Sequence, residues 1–134
     1  MNLTLRSVRK EDYKFLYKLL KQRPNDECIS HRKMPSYYQH CKYQNTFPFF
    51  LNIIILVNGK KIGNFYQTAR REIGIHVLKK YEYLAEEIVN VILDLASKDK
   101  EKIYFNINPK DKRFKSLLTK NCRLIQHTYE NILS

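Results

Sequence analysis

Residues 72–85 have the residue types and the spacing of an anion-binding site. Ile73, Ile75 and Val77 recur at every second position, which is the period of a β-strand. From Leu84 onward, apolar residues recur at intervals of three and four, which is the period of an amphipathic helix. A strand that runs straight into a helix aims the first backbone N–H groups of that helix beyond the strand end, where they favour a phosphate. The sequence therefore predicts a phosphate site at this junction.

The elements that must position this junction follow from periodicity and turn signals along the chain. They alternate as β-α-α-β-β-β-α-β-α-β, and Asn58-Gly59 is the hairpin signal between the second and third strands. We expect strands at residues 3–8, 49–57, 60–68, 73–77, 103–107 and 124–129, and helices after Lys10, after the cap Ser36, from Leu84 and after the cap Asp111. The predicted fold class is α/β in layers: a mixed, mostly antiparallel sheet with one parallel step and helices on both faces.

The composition indicates one globular domain with a strongly basic surface. The 134 residues fit a single domain, 1–134, and 25 Lys and Arg against 13 Asp and Glu give a net charge of +12. Such a surface attracts polyanions, whether nucleic acid or a nucleotide-like cofactor, and repels cationic small molecules. A Lys-rich surface is also common where high temperature or AT-rich coding favours lysine, and we weight the two explanations equally.

The three cysteines, Cys28, Cys41 and Cys122, are odd in number and have no C-x-x-C spacing. Neither a disulfide framework nor a metal site is therefore indicated, and a reducing cytoplasm is the location we expect. No stretch approaches 18 consecutive apolar residues, so no membrane span is expected either. The sequence does not determine the oligomeric state, and a homodimer is one possibility.

Four stretches together point beyond the fold class to a family. They are the opening Leu3-Thr4-Leu5-Arg6 with Glu11-Asp12, the hairpin Asn58-Gly59-Lys60-Lys61-Ile62-Gly63, the central strand Glu72-Ile73-Gly74-Ile75-His76-Val77, and Asn106-Ile107-Asn108-Pro109 before the last helix. In this order they resemble the GNAT superfamily of acyl-CoA-dependent N-acyltransferases, and the resemblance covers nearly the whole chain. It implies a transferase that moves the acetyl group of acetyl-CoA to a primary amine acceptor, which the sequence does not name.

The turn after the central strand carries the cofactor motif of that superfamily. The motif is Gln or Arg, two free residues, Gly, one residue, then Gly or Ala, so that bare amides reach the CoA pyrophosphate. Lys80 takes the first place here and Ala85 the last, but Tyr83 stands at the first Gly place, so the loop is degenerate. Three nearby carboxylates repel a pyrophosphate; they belong to Glu82, Glu86 and Glu87. The cofactor-binding residues that the resemblance implies are Ile75, His76, Val77, Lys80, Tyr81, Glu82, Tyr83, Leu84, Ala85 and Asn108.

The chemistry that the resemblance implies is direct attack of the amine on the acyl thioester. It needs a general base for the amine and an acid for the leaving thiolate. By position, Glu72 and His76 are the candidate bases. Many relatives place the acid as a tyrosine in the last helix, where Leu118 stands here, so another tyrosine would have to supply that proton. Tyrosines and histidines within residues 26–46 either line an acceptor pocket or pack a short helix on the sheet, and we favour packing.

Three functions stay open on the sequence alone. The first is an active N-acetyltransferase with an unusual pyrophosphate loop. The second is a GNAT-fold protein that binds CoA weakly or not at all and acts as a binding or regulatory module. The third is a nucleic-acid-binding module that uses the basic surface and exposed tyrosines, although the sequence carries no recognised RNA-binding motif.

Overall fold

The part of the chain that the structure describes contains five strands and four α-helices. This computed structural model describes residues 2–22, 34–107, 112–120 and 122–132. The strands are β1 (Leu3–Ser7), β2 (Leu51–Val57), β3 (Lys60–Gln67), β4 (Glu72–Val77) and β5 (Tyr104–Phe105). The helices are α1 (Tyr13–Lys21), α2 (Tyr37–Thr46), α3 (Ala85–Ala96) and α4 (Lys112–Leu118). Two 3-10 turns, Lys10–Asp12 and Lys79–Leu84, lead into α1 and α3.

The strands form one mixed sheet in the order β1-β2-β3-β4-β5. The first four pair antiparallel, and β4 pairs parallel with β5 after the α3 crossover. The hairpin between β2 and β3 turns at Asn58 and Gly59, whose φ angles are 51° and 79°. The favoured two-residue hairpin turn requires positive φ at both positions, which Asn and Gly adopt most readily. The predicted hairpin and the predicted parallel step are therefore confirmed.

The sheet is covered by helices on both faces. Ile53 and Ile55 of β2 belong to the larger core, which includes buried residues of α3 and α4. Ile54 lies between them, points to the opposite face and packs against Leu16 and Leu19 of α1. Because alternate residues of a strand point to opposite faces, one β-branched run serves both cores. The expected fold class, α/β with helices on both faces, is confirmed.

The prediction of a last strand at residues 124–129 is wrong. Residues 122–132 form neither helix nor strand, and their side chains are exposed; the exposed fraction is 73% for Leu124, 63% for Ile125 and 87% for Tyr129. Alternation gives a strand only where a neighbouring edge supplies backbone partners. The edge strand β5 is two residues long in place of the predicted five, and the described sheet ends there.

The capping prediction for α2 is confirmed. Ser36 Oγ accepts a hydrogen bond from the Gln39 amide at 3.1 Å, and Gln39 Oε1 accepts one from the Ser36 amide at 2.9 Å. This reciprocal capping box satisfies two N–H groups that the helix itself leaves without partners. The predicted cap Asp111 and the predicted site residue Asn108 lie outside the described residues.

A buried carboxylate ties the N-terminal segment to the sheet. Asp12 is fully buried, and Arg6 of β1 donates to both of its oxygens, at 2.8 and 2.9 Å. Lys61 of β3 lies 2.6 Å from one of these oxygens, and the Arg9 amide donates to the other at 2.8 Å. Because α1 begins at the next residue, this cluster fixes where α1 starts above the sheet.

Two further findings concern the cysteines and the membrane. Cys41 and Cys122 are free thiols, and Cys28 lies outside the described residues. Of the helices within the described ranges, none is both long and apolar enough to cross a membrane.

Candidate functional site

A cavity of about 270 Å³ lies between the sheet and the helices α1 and α2. Its lining includes Leu16, His40, Tyr43, Phe49, Tyr66 and His76. Two of these residues, His40 and Tyr43, come from the segment for which packing was favoured over a pocket. The segment both packs and lines the cavity, because His40 is buried against α1 and also lies in the cavity lining.

The side of the cavity opposite the sheet is formed by α1 and α2, and contacts between these two helices fix it. The Tyr17 hydroxyl of α1 donates to the Pro35 carbonyl at 2.7 Å, just before the cap of α2. The Tyr17 ring also contacts the rings of Tyr37 and His40, each with 5.3 Å between centroids. Aromatic contacts in this range stabilise beyond the area that they bury. This side of the cavity is therefore a packed surface.

Four rings form a continuous row along one wall. Successive centroids are 5.8 Å apart for Tyr43 and Phe49, 5.5 Å for Phe49 and Tyr66, and 6.3 Å for Tyr66 and His76. The first and last of these contacts are edge-to-face, with interplanar angles of 89° and 69°. We call these four residues the aromatic row; it leads from α2 to the central strand.

Gly74 makes room for the Tyr66 ring. A Cβ atom placed on Gly74 would lie 2.5 Å from the Tyr66 hydroxyl oxygen and closer still to the ring, so no larger residue fits unless the ring moves. The missing side chain lets the ring cross over β4 beside His76. A residue predicted only as part of a strand thus shapes the cavity.

We expect Gly74→Ala to lower the free energy of unfolding by about 1–3 kcal/mol, because the added methyl group displaces the Tyr66 ring. Urea unfolding measures the change. The matched control places the same substitution in a Tyr66→Ala background, where the ring is gone and the methyl group should cost little. An equal loss in both backgrounds would place the strain in the backbone of β4.

A chain of amides connects α2 to the floor of the cavity. Asn52 Nδ2 donates to Gln44 Oε1 at 2.9 Å, and Asn64 Nδ2 donates to Asn52 Oδ1 at 3.1 Å and to the Ile53 carbonyl at 2.8 Å. Asn64 is buried and pairs with His76 across β3 and β4. The floor beside His76 is therefore polar and uncharged.

The two candidate bases lie at opposite ends of β4. Four residues at roughly 3.3 Å each place Glu72 and His76 about 13 Å apart along the strand. His76 lines the cavity, whereas the Glu72 carboxylate accepts a hydrogen bond from the Asn106 side chain, next to β5. The structure therefore separates them, and of the two it brings His76 to the cavity.

The backbone groups of β4 are directed alternately to the β3 side and the β5 side. The pairing of β4 with β5 ends at Ile73 and Phe105. The Arg71 carbonyl accepts from Tyr104, whereas the Glu72 carbonyl and the Leu78 amide bond on the β3 side. Because these directions alternate along a strand, the backbone groups of Ile75 and Val77 point to the β5 side. The Val77 carbonyl accepts a hydrogen bond from the Gln22 side chain at 2.7 Å.

Comparisons with known proteins agree on the fold. No protein-family model matches the sequence, and no curated protein matches it. A ribosomal-protein-alanine N-acetyltransferase from Brucella melitensis biovar Abortus 2308 is similar with a TM-score of 0.69 at 12% identity, over 100% of both chains. A mutant spermidine N-acetyltransferase from Vibrio cholerae gives 0.69 at 17% identity, over 88% of this chain and 77% of that one. An aminoglycoside acetyltransferase in complex with coenzyme A gives 0.67 at 19%, over 89% and 82%.

This chain has the GNAT fold. At these identities the similarity establishes the architecture, and the reaction has to be argued from the site.

The turn after β4 is wound more tightly in this GNAT fold than its sequence indicated. Helical winding begins at Lys79, five residues before the expected helix start. The Tyr81 amide donates to the Leu78 carbonyl at 2.9 Å, and the Ala85 amide donates to the Glu82 carbonyl. These two N–H groups are therefore used inside the turn. A pyrophosphate at this turn would meet the exposed side chains of Lys79 and Lys80 before those amides.

The two aromatic residues of the turn differ in burial: Tyr81 is half-buried against both cores, and Tyr83 is exposed. Tyr83 is 69% exposed, and its ring stacks on Tyr81 with 6.4 Å between centroids. The Lys80 ammonium lies 5.5 Å from the centre of the Tyr81 ring. Leu84 and Ala85 are buried in the larger core, so their side chains anchor the turn. Within the turn, the predicted cofactor residues thus range from the exposed Lys80 and Tyr83 to the buried Leu84 and Ala85.

The cavity residues that sequence reasoning missed include Phe49, Asn64 and Tyr66. Their types gave no signal, because amide and aromatic residues are ordinary in strands. The hairpin at Asn58-Gly59 and the alternation of β3 place Asn64 and Tyr66 on one face, but only the register with β4 sets that face beside His76. Leu118, at the position where relatives carry the acid, is 6% exposed and packs in the larger core.

Proposed function

We propose that this protein is an N-acetyltransferase that transfers an acetyl group from acetyl-CoA to a primary amine. One observation carries the proposal: β4 directs the Val77 amide to the β5 side and the His76 side chain to the cavity. A single strand thereby offers one side to a thioester and the other to an acceptor. The coenzyme A complex of the similar aminoglycoside acetyltransferase supports an acyl-CoA as the donor.

The residues then take definite roles in this proposal. Bound acetyl-CoA supplies an activated acetyl thioester. The Val77 amide donates to it on the β5 side, and the Lys79 and Lys80 ammonium groups attract its phosphates. His76 takes a proton from the amine, and Tyr66, whose ring contacts the His76 ring, replaces the missing acid at Leu118.

A second candidate function is a GNAT-fold binding or regulatory protein that does not use acetyl-CoA. The observation that favours it is the turn itself, where the Tyr81 and Ala85 amides are already bonded and Tyr83 stands at a glycine place. Glu86 and Glu87 add exposed negative charge to the first turn of α3. The reducing cytoplasm and the nucleic-acid alternative stay predictions; the latter requires binding that weakens steeply with salt.

Acetyl-CoA binding separates the two candidates. Isothermal titration should give saturable binding, and the same ligand at 100 times its dissociation constant should add about 2.7 kcal/mol to the free energy of unfolding. Absence of both effects at millimolar acetyl-CoA would leave the binding or regulatory function. Desulfo-CoA is the control for the nucleotide part of the ligand.

We expect Glu87→Gln to tighten acetyl-CoA binding about threefold at low salt, because it removes a negative charge from the N-terminal turn of α3. The matched control is Asp94→Asn in the same helix, which makes the same charge change about 10 Å farther along the axis. Titration at low and high salt measures both variants, and the gain should disappear at high salt. Equal gains for the two variants would mean that overall charge, rather than this turn, governs binding.

A further inference from the structure

We infer that the cavity beside His76 binds an acceptor whose primary amine is joined by a short linker to one uncharged aromatic ring. The inference rests on the proposed acetyl transfer and names its substrate class. It follows from the ring contacts, the charge and the size of the cavity.

The aromatic row gives the cavity its preference for a ring. Tyr43, Phe49 and Tyr66 contact one another in tilted and edge-to-face arrangements at 5.5–5.8 Å, and the Leu16 side chain lies in the lining of the same cavity. An aromatic guest can extend such a row, and each aromatic pair adds interaction beyond the apolar area that it buries. An aliphatic chain of similar size gains the buried area alone.

The charge of the lining argues against a polycation. Each described side chain that lines the cavity is aliphatic, aromatic, amide or imidazole, so none of them is a carboxylate. Burial, with the nearby Tyr66 hydroxyl adding to it, raises the pKa of Tyr43, which keeps that phenol neutral. A polyamine would give up its hydration here without gaining a counter-charge, and the net charge of +12 opposes its approach.

The size of the cavity limits the guest to one ring. Its volume of about 270 Å³ exceeds the roughly 150 Å³ of an apolar cavity that admits benzene. One ring with a linker of two or three atoms fills the difference. A ligand of several linked rings would extend beyond this volume.

His76 sets the direction of the guest. It ends the aromatic row and pairs across the sheet with the buried amide Asn64, so polar groups line the cavity where it meets β4. A ring packed against Tyr43 and Phe49 therefore directs its amine toward His76. In the transfer, a bond forms between the amine nitrogen and the acetyl carbon, and the carbon–sulfur bond breaks. His76 takes the proton from nitrogen, and the thiolate leaves with a proton from Tyr66 or solvent.

Direct binding of 2-phenylethylamine to the full chain tests this inference without any turnover. Isothermal titration in the absence of acetyl-CoA should give binding at least tenfold tighter than that of spermidine and about fivefold tighter than that of hexylamine. Equal or tighter binding of spermidine would overturn the charge argument. Equal binding of hexylamine would overturn the preference for a ring.

Two neighbouring phenylalanines provide a matched pair of variants. Phe49 belongs to the aromatic row, whereas Phe50 is 59% exposed and does not line the cavity. Phe49→Ala should weaken 2-phenylethylamine binding at least fivefold, and Phe50→Ala should leave it within twofold. Equal losses in both variants would remove the cavity as the site. Acetyl-CoA binding is measured on the same samples, so a chain that binds the amine and not acetyl-CoA refutes the transferase and keeps the cavity.

Discussion

Replacing Asp12 by asparagine is expected to lower the free energy of unfolding by about 3 kcal/mol at neutral pH. The asparagine keeps the shape of the side chain but removes the negative charge that Arg6 and Lys61 share. Those two cations are only 26% and 32% exposed, so water replaces the lost partner incompletely. Glu11→Gln is the matched control one residue away: Glu11 is 67% exposed and 3.9 Å from Arg9, so its loss should cost less than about 0.5 kcal/mol.

The same cluster predicts a pH dependence of stability. The hydrogen bonds from Arg6, and then those from Lys61 and the Arg9 amide, hold the pKa of Asp12 well below its ordinary 3.8, although burial opposes the shift. A lowered pKa in the folded state stabilises the fold above the ordinary value, and the contribution is lost as the pH falls below it. Urea unfolding from about pH 7 to about pH 3 should therefore show a shallower loss for Asp12→Asn than for the wild type. Parallel curves would mean that other carboxylates dominate acid unfolding.

Local signals explain why most of the fold was predictable. The hairpin at Asn58-Gly59, the cap at Ser36 and the period change from β4 to α3 are each written within a few neighbouring residues. Such signals hold because the conformation that they favour agrees with the burial that the fold requires. The parallel placement of β5 followed from the crossover rule for a strand–helix–strand unit.

The last predicted strand shows where local signals stop. Residues 124–129 alternate as well as β4 does, but a strand also needs an edge to pair with, and that partner is far away in sequence. The two residues of β5 provide no edge for it in the described sheet. The winding of the turn from Lys79 likewise depends on how Leu84 and Ala85 pack in the larger core.

The candidate site was half predictable for the same reason. The strand pattern and the family resemblance together predicted the candidate residues on β4, His76 among them. Phe49, Asn64 and Tyr66 reach His76 only through the register of three strands and the gap that Gly74 leaves. Spacing along the chain does not encode that proximity. Candidate residues on one strand were therefore found, and their neighbours across the sheet were not.

The choice between Glu72 and His76 as general base can be made by substitution, if the protein is the transferase proposed above. His76→Gln is expected to lower kcat about 100-fold with 2-phenylethylamine as the acceptor, because a positioned base contributes about that factor or more. KM should change less than threefold, since glutamine keeps a polar group at the end of the aromatic row. Release of the CoA thiol from acetyl-CoA measures the rate.

Two control variants decide what such a loss means. His127→Gln makes the same replacement at an exposed position in the C-terminal segment and should leave kcat within twofold. Glu72→Gln keeps a hydrogen-bond acceptor for Asn106 and, being about 13 Å from His76 along β4, should also retain most of the activity. A 100-fold loss in Glu72→Gln with near-normal His76→Gln would instead assign the base to Glu72. The cavity beside His76 would then bind the acceptor without taking its proton.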